Sequence, residues 1–170
     1  MKRLLYLAAI ACITLFAACE KAETDTPIDE EQQEVEITGD LYGIWALTTK
    51  SETYPNSEGP QAVYNEDYTP YHFYLALSEF PFPHAIAKKG SLSSFDLGDV
   101  DVDAVRFTYN PNTHEINFSK TLWLTAELLT RSMKLTGKFD VTKLTDTTLV
   151  IRQKEFLTGK IIAYTYTRQK

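Results

Sequence analysis

The chain's 170 residues suit one domain of ordinary size. With 44% hydrophobic and 24% charged residues, and only seven Gly and seven Pro, it is neither a disordered nor a collagen-like chain. A formal charge of −6 excludes the basic footprint of a nucleic-acid binder, and a single apolar run, placed at the start, excludes a multi-span membrane protein.

Lys2 and Arg3 precede an apolar stretch over residues 4–18, which is followed by Cys19. The stretch is shorter than the ~20 residues a membrane span needs, and its positive start and small-residue end are those of an export signal. Residues 20–40 carry nine acids against the single Lys21 and hold almost no bulky apolar side chains. Such a segment cannot offset its ordering entropy, so the expectation is a flexible, self-repelling tether. Residues 41–170 carry fourteen charges of each sign and form the expected folded body. Cys12 leaves with the signal, and the body contains no cysteine. A disulfide, a Cys-ligated metal and a thiol nucleophile are therefore excluded there.

Leu15-Phe16-Ala17-Ala18-Cys19 resembles the lipobox of bacterial lipoproteins. The resemblance implies cleavage before Cys19, acylation of that residue by chains such as palmitate, and attachment to the cell envelope, at the outer membrane. The alternative, an ordinary signal peptide cut near Ala18, would leave Cys19 as one unpaired thiol. Glu20, Glu23 and Asp25 also resemble the surface-export signals of some lipoproteins of the Bacteroides group, although Lys21 and Ala22 interrupt the match.

From Leu41 onward the hydrophobic period is two. Met133, Leu135, Gly137, Phe139 and Val141 alternate with charged residues and Thr, the pattern of a half-buried strand. The spacing predicts about eight strands: 41–49, 71–78, 100–109, 114–119, 121–125, 130–142, 147–154 and 160–168, with residues 121–131 equally able to form a short helix. Asn110-Pro111-Asn112-Thr113 reads as one hairpin turn, and two more are expected near Thr145 and Thr158. Many short strands joined by turns argue for an antiparallel sandwich or barrel, and closure removes exposed edges, so an all-β antiparallel barrel is expected.

Phe80-Pro81-Phe82-Pro83 opens an apolar, proline-broken stretch over residues 80–90. It reads as a loop rather than a central strand, either packed over one end of the body or serving as a lid in which Phe82 meets a ligand. Asp99, Asp101 and Asp103 fail the EF-hand pattern, because Ala104 and Asn110 stand where Gly and a carboxylate are required. Alternation places them on a solvated face instead. His72, His84 and His114 lack metal-ligand spacing, and no nucleophile elbow, phosphate loop or dinucleotide fingerprint occurs. No metal, cofactor or enzymatic activity is expected.

Leu41-Tyr42-Gly43-Ile44-Trp45 resembles the Gly-x-Trp opening of lipocalins and the wider calycin group. The end of the chain, from Val141 through Tyr164-Thr165-Tyr166-Thr167-Arg168, is similar to that of small lipocalin-like lipoproteins of Bacteroides-type bacteria. The resemblance implies an eight-stranded barrel over residues 41–170, with Trp45 plugging one end beneath Arg168 as a structural pair. Phe73, Leu75, Leu77, Phe107, Tyr109, Leu135, Phe139, Leu149, Ile151, Tyr164 and Tyr166 are the expected inward set, whereas Trp123 is expected outside. Two functions follow. In one, a small apolar ligand sits in the barrel against Phe73, Leu75, Phe107, Tyr109, Leu135, Phe139, Tyr164 and Tyr166, with Phe82 above it and Gly137 leaving room. In the other, those side chains fill the barrel, which then serves as a structural or protein-interaction module.

Overall fold

The computed structural model describes residues 35–55, 61–94, 103–126 and 130–170, all within the compact unit Gln33–Lys170. The signal, Cys19 and the tether up to residue 34 lie outside the described residues, as do Asp99 and Asp101. The described chain is all β. Its ten strands are β1 (Glu36–Ile37), β2 (Gly43–Tyr54), β3 (Ala62–Asp67), β4 (Phe73–Ser78), β5 (His84–Lys89), β6 (Val105–Asn110), β7 (Glu115–Ala126), β8 (Arg131–Leu144), β9 (Thr148–Lys154) and β10 (Ile161–Arg168).

Eight of these close an antiparallel barrel in the order β2-β4-β5-β6-β7-β8-β9-β10, with β10 returning to β2. The first and last barrel strands are thus neighbours, and their pairing runs from Ile161↔Thr53 to Arg168↔Trp45. Inward residues alternate with outward ones along each strand, so Leu75, Phe107, Phe118, Leu135, Phe139, Leu149, Ile151 and Tyr166 meet in one core. The expected inward set lies in this core, with Tyr109 partly buried against it. Trp123 is 63% exposed.

Four local departures from the expected strands have physical causes. Residues 84–89 form a barrel strand rather than a loop: both prolines sit in the turn before His84, and β5 pairs along its whole length with β4. The two strands expected over 114–119 and 121–125 are one strand, β7, which begins at Glu115. A bulge between Phe118 and Leu122 turns Lys120 outward where strict alternation would have buried it. Counting β7 twice and omitting β5 cancelled, which left the count at eight. β3, which was not anticipated, has almost no buried residue and therefore no apolar period; it extends the line of β4 alongside β2. Finally, the tether's last residues join the sheet. β1 pairs in parallel with Lys143 and Leu144, and Lys143 forms a 2.7 Å ion pair with Glu36.

The expected turns at residues 111–114, 145–147 and 156–158 are present. β6 begins at Val105 rather than near residue 100, and residues 121–126 are strand, not helix.

Candidate functional site

At one end of the barrel, Trp45 is fully buried and its Nε1 donates to the Leu41 carbonyl at 2.9 Å. The Arg168 guanidinium lies 4.3 Å from the centre of the indole. It also donates to the carbonyls of Tyr42, at 2.9 Å, and Asp40. Gly43 is needed here: its φ is +145°, and a Cβ on it would stand 2.7 Å from Arg168 Nη1.

Tyr68, which carries no sequence signal of its own, braces the other end. It sits between β3 and the 3-10 turn Thr69–Tyr71 and is fully buried. Its backbone N–H donates to the Thr48 carbonyl, and its hydroxyl reaches β8, donating to the Ser132 carbonyl at 3.1 Å and accepting from the Ser132 N–H at 3.2 Å. Burial pushes this hydroxyl up to about 12.

Between these two braces, the side chains expected to contact a ligand contact one another. Ring centres step from Tyr42 to Phe107 (6.3 Å), Phe118 (6.2 Å), Phe139 (6.0 Å), Tyr164 (6.3 Å) and Tyr166 (6.5 Å). Phe73 belongs to a second group with Tyr68 and Tyr71. The tyrosine hydroxyls are engaged as well: Tyr166 donates to the Met133 sulfur at 3.3 Å, and Tyr164 donates to the Lys134 carbonyl at 3.2 Å. Desolvation raises both hydroxyls, Tyr164 to about 12 and Tyr166 well above its ordinary value, so both stay protonated at neutral pH. Leu75 and Leu135 are fully buried in the same core. Gly137 faces the β7 bulge with φ +69°, and a Cβ there would meet no atom within 4 Å. Backbone strain, rather than crowding, is what a side chain at this position would bring.

Phe82 stands apart from this core. It lies on the outer wall beside β6, with the Arg106 guanidinium 4.1 Å from its ring centre, and lines an outward groove of about 420 Å³. His84 is buried behind it, 5.6 Å from ring to ring, and its Nδ1 lies 2.8 Å from the Phe82 carbonyl oxygen. His72 and His114 occupy left-handed turn positions far from each other in the chain, and among the described residues no group of three or more metal-ligating side chains occurs.

An apolar surface lies at the end of β2 and the start of β3, beside the β9–β10 connection. Tyr54 and Tyr64 touch edge-to-face at 5.6 Å, Lys160 lies over Tyr54, and Gly159 abuts Pro55. Val63, Tyr64, Phe156 and Leu157 are all exposed, the last two almost completely.

Comparison with protein-family models finds no match, and comparisons with curated proteins and with solved structures find none either. The fold itself is a closed, eight-stranded antiparallel barrel.

Proposed function

We propose that this chain is a lipocalin-like lipoprotein of the cell envelope, held at the outer membrane through acylated Cys19, whose barrel is filled by its own side chains and acts through its outer surface on a protein partner. The observation that carries this reading is the aromatic succession from Tyr42 to Tyr166, braced by Trp45–Arg168 and Tyr68–Ser132. A barrel of eight strands is just wide enough for side chains to fill. The surface best suited to a partner is the apolar tip of Tyr54, Val63, Tyr64, Phe156 and Leu157, because Phe156 and Leu157, consecutive in one turn and almost fully exposed, have no folding role to explain them.

Native mass spectrometry of the protein purified from its own membrane tests the reading. The expected mass is the acylated polypeptide without a bound small molecule. Titration of the full chain in detergent with fatty acids, a retinoid and haem is expected to give no saturable change in tryptophan fluorescence. A stoichiometric apolar molecule retained in the gas phase, or saturable 1:1 binding in the titration, would overturn the filled-barrel reading in favour of a lumen ligand.

A further inference from the structure

The outer-wall groove beside β6 has no place in the filled-barrel reading, and its chemistry is specific. Its floor is the outer face of β6 and β7. There Thr108 pairs directly across from Asn117, and Arg106 and Ser119 lie two positions along their strands on the same face. Its wall is Phe82 and Pro83 from the β4–β5 turn. The Pro83 carbonyl accepts the Phe107 N–H at 3.2 Å, which fixes the wall to the floor through backbone rather than through a flexible side chain.

Arg106 pairs with no carboxylate among the described residues. Its guanidinium carbon lies 4.1 Å from the centre of the Phe82 ring, a contact that reduces the freedom the side chain would lose on binding. Among the described residues, Thr108, Asn117 and Ser119 likewise make no side-chain hydrogen bond, although each offers donors and acceptors. Lys138, which pairs across from Asn117, is committed to Glu115 at 3.2 Å. The groove thus combines one guanidinium and three hydrogen-bonding side chains that have no polar side-chain partner among the described residues with an apolar wall, in a volume of about 420 Å³ that accommodates a single small molecule.

We propose that this groove binds a small ring compound bearing a carboxylate. The carboxylate meets the Arg106 fork in a bidentate pair, the ring lies against Phe82 and Pro83, and Asn117, Ser119 and Thr108 hydrogen-bond the remaining polar atoms. Two sources share this chemistry: an aromatic acid, whose ring is apolar throughout, and a uronic acid, whose pyranose ring offers one apolar C–H face and several hydroxyls.

Ligand-observed saturation-transfer NMR on the full chain in detergent, with phenylacetate and glucuronate as probes and phenylethanol and glucose as their uncharged counterparts, tests the site. An open groove with one charged anchor predicts dissociation constants of about 1 mM or somewhat tighter for at least one acid. Arg106→Gln is expected to weaken that acid about tenfold or more. Arg106→Lys, which keeps the charge but loses the fork, should weaken it by a smaller factor. Arg106 is exposed, so neither variant threatens the fold. Lys120→Gln, also exposed and outside the groove, serves as the control and should leave binding unchanged. Preference for phenylacetate supports an aromatic acid and preference for glucuronate a uronic acid. Failure of both acids to bind, equal binding of the uncharged rings, or equal loss in Lys120→Gln and Arg106→Gln would each overturn the proposal. None of these outcomes bears on whether the lumen is filled.

Discussion

Replacing Tyr68 by Phe keeps the ring and deletes only the hydroxyl that reaches Ser132. That hydroxyl serves both backbone groups of Ser132, at 3.1 and 3.2 Å, so its removal leaves a C=O and an N–H without this partner. Stranding a buried polar group costs about 1–3 kcal/mol, and because Ser132 is only half-buried the expected loss is about 1–2 kcal/mol. In a body of this size that corresponds to a fall in Tm of roughly 3–8 °C. Tyr68→Ala also removes the ring packed 5.7 Å from Tyr71 and 5.9 Å from Phe73, which raises the loss to about 3–5 kcal/mol, a large share of the ~5–15 kcal/mol that stabilises a typical domain. Urea unfolding followed by far-UV circular dichroism measures both. If Tyr68→Phe unfolds at the parent's midpoint, or if the Phe and Ala variants lose the same amount, the hydroxyl does not brace the barrel and the argument for a closed end fails.

Other perturbations probe other links. Trp45→Ala should cost ~3–5 kcal/mol, since the indole is fully buried beneath Arg168, while Trp123→Ala should cost well under 1 kcal/mol; comparable losses in urea melts would contradict the plug. Cys19→Ala should move the protein from the membrane to the soluble fraction on cell fractionation, because acyl chains contribute ~0.8 kcal/mol per buried methylene; a variant still sedimenting with membranes would exclude lipidation at Cys19 as the anchor. The raised hydroxyls of Tyr68 and Tyr164 contribute stability that is complete below pH 10, their unfolded value, and is lost as pH rises towards about 12. Denaturation midpoints should therefore hold from pH 8 to 10 and fall between 10 and 12, and an unchanged midpoint at pH 12 would contradict their burial. Phe156→Ser combined with Leu157→Ser should leave the melting curve unaltered while removing photo-crosslinks to envelope protein.

The period-two alternation made β6, β8, β9 and β10 legible, because in each the inward face is built of large apolar residues and the outward face is mostly polar; in β4 the inward Phe73, Leu75 and Leu77 carried the signal, although the outward Tyr74 and Ala76 are buried as well. The same logic hid β3, which buries neither face, and β5, whose inward residues Ala85 and Ala87 are small and whose outward His84 and Ile86 are nevertheless buried. Pro81 and Pro83 compounded the error: proline bars the ladder only at its own position, and both stand just before the strand. Of the candidate site, the inward set and the Trp45–Arg168 pair could be read from spacing and motif. Tyr68 could not, since its role depends on a hydrogen bond to a strand 64 residues away. Arg106, Asn117 and Ser119 were silent for a related reason: alternation marks them only as solvent-facing, and the groove exists because a turn from elsewhere in the chain lies across them.

The adjacency of β2 and β10 also bears on how the molecule comes into being. The strand that opens the barrel finds one of its two neighbours only more than a hundred residues further along the chain, with Trp45 opposite Arg168. As the chain folds, β2 can pair with β3 and β4 at once, but its other edge stays bare until β10 docks. Closure is therefore a late, long-range event with the slow kinetics of high contact order, and until then the chain presents two unpaired edges to its surroundings. A chain cut short before β10 would hold an open, adhesive sheet. Arg168 acts as the clasp whose arrival ends that vulnerable interval.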